Sequence, residues 1–248
     1  MSDKGTIRIG IGGWVFPPWR GTFYPKGLKQ AEELNYASRH LTAIEINGTF
    51  YGLQKPASYQ KWRAETPDDF VFSLKGTRFV THRRELETAG ESLDRFFNSG
   101  VTELGAKLGP IVWQFAPFLP FDEANFAAFL ELLPKRAGNL KLRHVLEVRH
   151  KSFADPAFIK MMTQHGAAIA QVEDEKYPEF DAITADFVYA RLRRCSEDEP
   201  TGYSPQALDA IAERFQSHAA AGRDCFVYFI NGAKVRAPHA AMALIERL

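Results

Sequence analysis

Two carboxylates and several guanidinium groups stand at the ends of short apolar runs in this chain of 248 residues. Glu45 lies in AIEIN, Glu147 and Arg149 in HVLEVRH, Arg191 in FVYARL, and Lys75 ends FVFSLK. Two carboxylates near one another can act as general acid and base. Guanidinium forks fit the oxygens of phosphates and carboxylates. A cationic pocket holding two acids therefore suits an anionic ligand.

The runs that carry these residues number eight: 7–14, 43–47, 70–75, 110–115, 144–150, 168–174, 187–192 and 225–231. Helical patterns fill most of the gaps. One spans Leu28 to His40 and another Asp122 to Leu133; a third opens with Ser204 as N-cap, has Pro205 in its first turn and stops at Gly222. Alternating strands and helices imply a parallel sheet, and eight units in this length imply one α/β domain over 1–248, a (β/α)8 TIM-like barrel. Only 11 residues separate Asp174 from Asp186, Pro178 among them, so the barrel is expected to be irregular between the sixth and seventh strands.

Alternation along a strand then assigns faces. Ile44 and Ile46 pack outward, leaving Glu45 and Asn47 inward. The same rule turns Ser73, Lys75, Gln114, Glu147, Arg149 and Arg191 inward. It also sends Trp14 inward, and it places Phe226, Tyr228 and Ile230 outward with Asn231 inward. The sixth strand does not resolve, because Gln171 and Glu173 have one parity and Asp174 the other. The C-terminal mouth of a barrel is its active-site face. The expected constellation there has Glu45, Glu147 and His82 as catalytic groups. Trp14, Arg20, Asn47, Tyr51, Lys75, Gln114, Arg149, His150, Arg191 and Asn231 would bind substrate. A plain structural reading competes with it, in which internal ion pairs such as Glu45 with Arg149 and Glu147 with Lys75 fill the barrel top.

Composition narrows the function classes. There are 31 Lys plus Arg against 30 Asp plus Glu, a net charge of +1, which excludes a generally basic nucleic-acid coat. Apolar residues at 45% and charged residues at 25% are globular values. The two cysteines, Cys195 and Cys225, fit neither a disulfide framework nor a zinc site. MSDKGT shows no apolar signal core and no run suits a membrane span, so a cytoplasmic protein is expected. GIGGW lacks the context of a phosphate loop, and no GxSxG is present.

Three functions remain. The first is an enzyme for a small anionic substrate, with isomerase-like proton transfer between Glu45 and Glu147 and no metal ligands assigned. The second is a nucleic-acid or nucleotide binder, with Arg78, His82, Arg193 and Arg194 on phosphates and Trp14, Trp19 or Tyr51 stacking bases. The third is a metal-dependent isomerase or hydrolase using Glu45, Glu147, Asp174 and His150. No cofactor follows from the residues, and neither does an oligomeric state.

The segments GWVFPPWRGTFYP, IEINGTFY, FVFSLKGTRFVTH, KLGPIVWQFAP, LEVRHKSF, ADFVYARL and YFINGAKVRAPHAAMAL occur in this order along essentially the whole chain. In this the sequence resembles the YecE-like family, the domain of unknown function 72. The resemblance implies a single TIM barrel and a fold-level relation to sugar isomerases. It carries over Glu45, Asn47, Lys75, Thr81, His82, Gln114, Glu147, Arg149, His150, Arg191 and Asn231 as family positions. The chain departs from the family pattern at Lys151, Ser152 and Phe153, where Pro-Ser-Trp is usual. It departs again at Arg193 and Arg194, where a His-Gly pair is frequent, and at Ala116, where a proline is typical.

Overall fold

A computed structural model describes residues 4–248. Nine strands form its main sheet: β1 (Ile7–Gly12), β2 (Ala43–Ile46), β3 (Val71–Lys75), β4 (Leu108–Gln114), β5 (His144–Glu147), β6 (Ala168–Ile169), β7 (Gln171–Val172), β8 (Phe187–Leu192) and β9 (Asp224–Phe229). Their order is β6-β5-β4-β3-β2-β1-β9-β8-β7, and every pairing is parallel. The sheet's two ends, β6 and β7, are consecutive in the chain and separated only by Ala170. They are the two halves of the expected sixth strand. The first half pairs back to β5 and the second forward to β8, so one segment closes the barrel. The count of nine instead of eight has this origin.

Helices cover the outside. Ser204 caps Pro205–Ala220, Asp122 caps Glu123–Leu132 and Asp155 caps Pro156–His165, each by accepting a backbone N–H of the first turn. The expected helix from Leu28 begins later, as a 3-10 turn Gln30–Glu32 that leads into Glu33–His40. No regular element occupies 173–186, as the short crossover with Pro178 implied.

Two buried layers follow from strand alternation. Ile44, Phe72, Trp113, Leu146, Val188 and Val227 pack outward under the helices. Ala43, Val112, Val145, Phe187, Tyr189 and Phe226 fill the barrel. The eighth expected strand corrects the parity reading. Phe226, Tyr228 and Ile230 belong to the inner layer, and Val227 and Phe229 to the outer. Both sets are aromatic or aliphatic, so hydrophobicity alone left this face undecided. The sixth strand now resolves as well. Ala168, Ala170 and Val172 face in, while Gln171 faces out and accepts from Arg214.

Candidate functional site at the barrel mouth

β2, β5 and β8 deliver Glu45, Glu147 and Arg191 to the same depth, and all three are buried. Arg191 lies between the two acids. Its Nε donates to Glu45 Oε2 at 3.1 Å, its Nη2 to Glu45 Oε1 at 2.9 Å, and its Nη1 to Glu147 Oε2. The Tyr189 hydroxyl donates to Glu45 Oε2 at 2.5 Å. Glu147 Oε1 accepts Gln114 Nε2 at 2.7 Å and, from Arg149, Nε at 3.0 Å and Nη2 at 2.8 Å. The expected pairs Glu45–Arg149 and Glu147–Lys75 are thus replaced by a network centred on Arg191.

The charges in this network balance, two carboxylates against two guanidiniums, and nearly every lone pair has a donor. Burial works against the Glu147 carboxylate, but Arg191 and Arg149 outweigh it and push the acid down to about 2. Burial likewise opposes the Arg191 cation, yet Glu147 and Glu45 hold its pKa above the ordinary arginine value. Burial, and then the charge of Glu45, drive the Tyr189 phenol well above its usual range, so it serves as a fixed donor. Glu147 is therefore a permanent anion near neutrality, poorly suited to the proton transfer expected of it.

Lys75 is different. It is 7% exposed at the end of β3, yet no carboxylate lies within 4.0 Å of its amine among the described residues. The Nζ sits over the Phe50 ring, 3.9 Å from its centroid, in a cation–π contact. Burial and the neighbouring Arg191 lower its pKa to about 8, against a partial offset from Glu45 and Glu147. At pH 7 about a tenth of such an amine is neutral, where an ordinary lysine has almost none.

Above this network opens a pocket of about 430 Å³ lined by Gly12, Asn47, Tyr51, Lys75, Gln114, Arg149, Arg191, Arg193, Phe229, Ile230, Asn231 and Lys234. Five of these side chains are cationic and none is a carboxylate. Lys234 stands over the Phe16 ring, and burial lowers its pKa. Arg193 is paired with Asp174. A larger cleft of about 620 Å³ lies at the opposite end of the barrel, where Lys141 and Arg143 are already paired with Asp186 and Asp224.

The expected site residues divide accordingly. Asn47, Tyr51, Lys75, Gln114, Arg149, Arg191 and Asn231 line the pocket, with Glu45 and Glu147 directly beneath Arg191. Asn231 arrives there with φ of 68°, a left-handed turn out of β9 in place of strand parity. Trp14 does not point inward. The strand ends at Gly12, Gly13 takes φ of 71°, and Trp14 swings against Trp62, edge to face at 5.3 Å. Arg20 is outside the pocket, because buried Glu33 takes its Nε at 2.7 Å and Gln30 its Nη2 at 2.9 Å. His150 is not in the lining either. It caps the turn Lys151–Phe153 and contacts Ser152 Oγ at 2.7 Å. His82 sits on the exposed loop after β3, beside Phe50 and 3.1 Å from Thr81 Oγ1. Burial, Lys75 and Arg149 lower its pKa.

The other two functions lose residues as well. Trp19 is fully buried, with its indole N–H on the Lys234 carbonyl at 2.9 Å, and has no free face for a base. Asp174 is taken by Arg193, and no group of three His, Cys, Asp or Glu is arranged for an ion among the described residues. Glu173 accepts the Tyr203 hydroxyl at 2.7 Å, outside the barrel. Tyr189 and Lys234 were not singled out in the sequence. Tyr189 shares parity with Arg191 and was legible by that rule. Lys234 follows the chain reversal at Asn231 and Gly232, which no strand rule reaches.

A parallel barrel whose polar groups gather at the strand C-termini defines a TIM-barrel protein, and the comparisons agree. The structure of a DUF72 family protein (TM1631) from Thermotoga maritima superposes with a TM-score of 0.75 at 21% identity, covering 97% of each chain. A xylose isomerase-like TIM barrel/4-hydroxyphenylpyruvate dioxygenase fusion protein superposes at 0.55 and 14% identity, over 96% of this chain and 41% of the other. The UPF0759 protein YecE of Escherichia coli (strain K12) is 31% identical over 148 residues, 59% of this chain and 50% of that protein. The chain thus spans about half the length of the curated relatives it matches. The model of the family "Protein of unknown function DUF72" matches residues 8–248, and the chain belongs to this family.

Proposed function

We propose that the barrel mouth binds a small phosphorylated or carboxylated substrate and carries out proton-transfer chemistry on it. The observation that carries this reading is the wall of the 430 Å³ pocket, five cations without a carboxylate, over a base in which Glu45 and Glu147 are already neutralised. An incoming anion meets charge that nothing else consumes, chiefly at Lys75 and Lys234. In this reading Glu45 and Glu147 hold Arg191 and Arg149 in place. The proton-handling group is Lys75, whose pKa near 8 matches the working range of a general base. The comparison with a xylose isomerase-like barrel supports the architecture only.

The test is a thermal-shift screen against phosphorylated and carboxylated metabolites. A ligand at about 100 times its Kd stabilises by roughly 2.7 kcal/mol, a readily measured rise in Tm. Arg149→Lys is expected to keep the fold and weaken such a ligand by about 1.5–3 kcal/mol, the scale of a hydrogen bond to a charged group. Equal affinity in the variant removes Arg149 from the ligand. Unfolding of both Arg149→Lys and Arg149→Ala reduces the network to a structural one.

A further inference from the structure

We infer that Lys75 is a nucleophile that forms an imine with an anionic aldehyde or ketone held at the barrel mouth. The inference rests on the proposed anion site and gives its substrate class. Four features of position lead to it. The amine ends a strand at the mouth and lines the pocket. It is buried, so water cannot stabilise the ammonium ion fully. Among the described residues it has no carboxylate partner to hold its proton, and Arg191 and Arg149 repel that proton further. Its side chain is braced by the Phe50 ring, and its own carbonyl is fixed by the Thr49 hydroxyl at 2.6 Å. Structural lysines elsewhere contrast sharply. Lys107 is equally buried but gives its protons to the Arg63 and Thr66 carbonyls at 2.7 and 2.8 Å. Lys75 makes no comparable bond, which is the arrangement of an amine kept available for reaction.

The chemistry is a condensation. The neutral amine adds to the carbonyl carbon, giving a carbinolamine. Loss of water then breaks the C–O bond, and both amine hydrogens leave with the oxygen. The imine, once protonated, draws electrons from the adjacent carbon and acidifies its C–H. The substrate's anionic group would lie toward Arg149, Arg193 and Lys234. A recess of about 360 Å³ shares Asn47 and Lys234 with the pocket and is walled by Trp14, Ile46 and Trp62, so the organic body can exceed a three-carbon acid.

The test uses the whole protein with two aldehydes, pyridoxal 5′-phosphate and uncharged pyridoxal, each reduced with borohydride and mapped by peptide mass spectrometry. The expected result is one dominant adduct on Lys75 with the phosphate ester, its enrichment over exposed lysines at least tenfold the enrichment seen with pyridoxal, suppressed by inorganic phosphate and absent in Lys75→Arg. Adducts spread over exposed lysines, with Lys75 no more reactive than they are, overturn the imine. If phosphate raises Tm and yet Lys75 stays unlabelled, the imine fails while the anion site stands. Equal enrichment of Lys75 over exposed lysines with both aldehydes keeps the nucleophile and removes the anion site. The map is read on the wild-type protein, so it holds even if the variant does not fold.

Discussion

Arg191 is held by two acids from two different strands, and each acid gains other donors of its own. Removing it leaves buried Glu45 without a cationic partner and Glu147 with Arg149 alone. Arg191→Met is therefore expected to cost about 3–5 kcal/mol in urea unfolding. A loss under 1 kcal/mol would show the network to be dispensable. The same network makes a pH prediction. Glu147 falls from an ordinary 4.5 to about 2 on folding. Its contribution to stability is fully present above pH 4.5 and declines as pH falls toward 2. Wild-type stability should fall over that window, and a Glu147→Gln variant should show a shallower fall. Lys75 gives the same slope in a higher window, since its folded value of about 8 also lies below its ordinary 10.5; here, unlike Glu147, it is the neutral form that folding favours. Its share of stability rises with pH between these values. Its labelling by aldehydes should level off near pH 8, tuned by the charges around it: Arg191, Glu45, Glu147, Arg149 and His82.

At the scale of elements, strand alternation was the informative rule, and its failures have local causes. It placed Glu45, Lys75, Gln114, Glu147 and Arg191 because each follows directly on an apolar residue of the outer layer, Ile44, Leu74, Trp113, Leu146 and Ala190 in turn. It failed for Trp14 because Gly13 turns the chain, and for β9 because both of its faces are apolar. It could not give the partner of each charge, which depends on depth in the barrel; Arg191 and not Arg149 reaches both acids. The eight-unit rhythm and the missing helix of 173–186 were legible from spacing. The division of the sixth strand was not, since both halves read as one apolar run. β6 and β7 each hold two residues and pair on one side. Amides of 168–172 should therefore exchange with deuterium faster than those of β1 or β3, which pair on both sides. Equal protection would mean that the barrel is more regular at this seam than its pairing indicates. A second element to probe is the end of β3. A Cβ on Gly76 would meet the Trp113 ring at 2.1 Å. Gly76→Ala should destabilise by about 1–3 kcal/mol through overpacking and displace Lys75 beside it.

The whole molecule carries almost no net charge, and five of its 31 lysines and arginines line the mouth pocket with no carboxylate among the lining residues. That distribution favours a small ligand over a long polyanion. Binding to an oligonucleotide should be weak and collapse with salt, whereas one small anion should saturate a single site. No described helix is long and apolar enough to cross a membrane. The family assignment fixes the barrel and leaves the chemistry to the residues at its mouth. The most direct measurement is a crystal soaked in inorganic phosphate. The account predicts one phosphate at the mouth, within hydrogen-bond reach of Lys75 and Arg149 or Lys234, with the Glu45–Arg191–Glu147 network unchanged beneath it. A mouth left empty while phosphate occupies the cleft at the other end of the barrel, between Lys135 and His165, would contradict it.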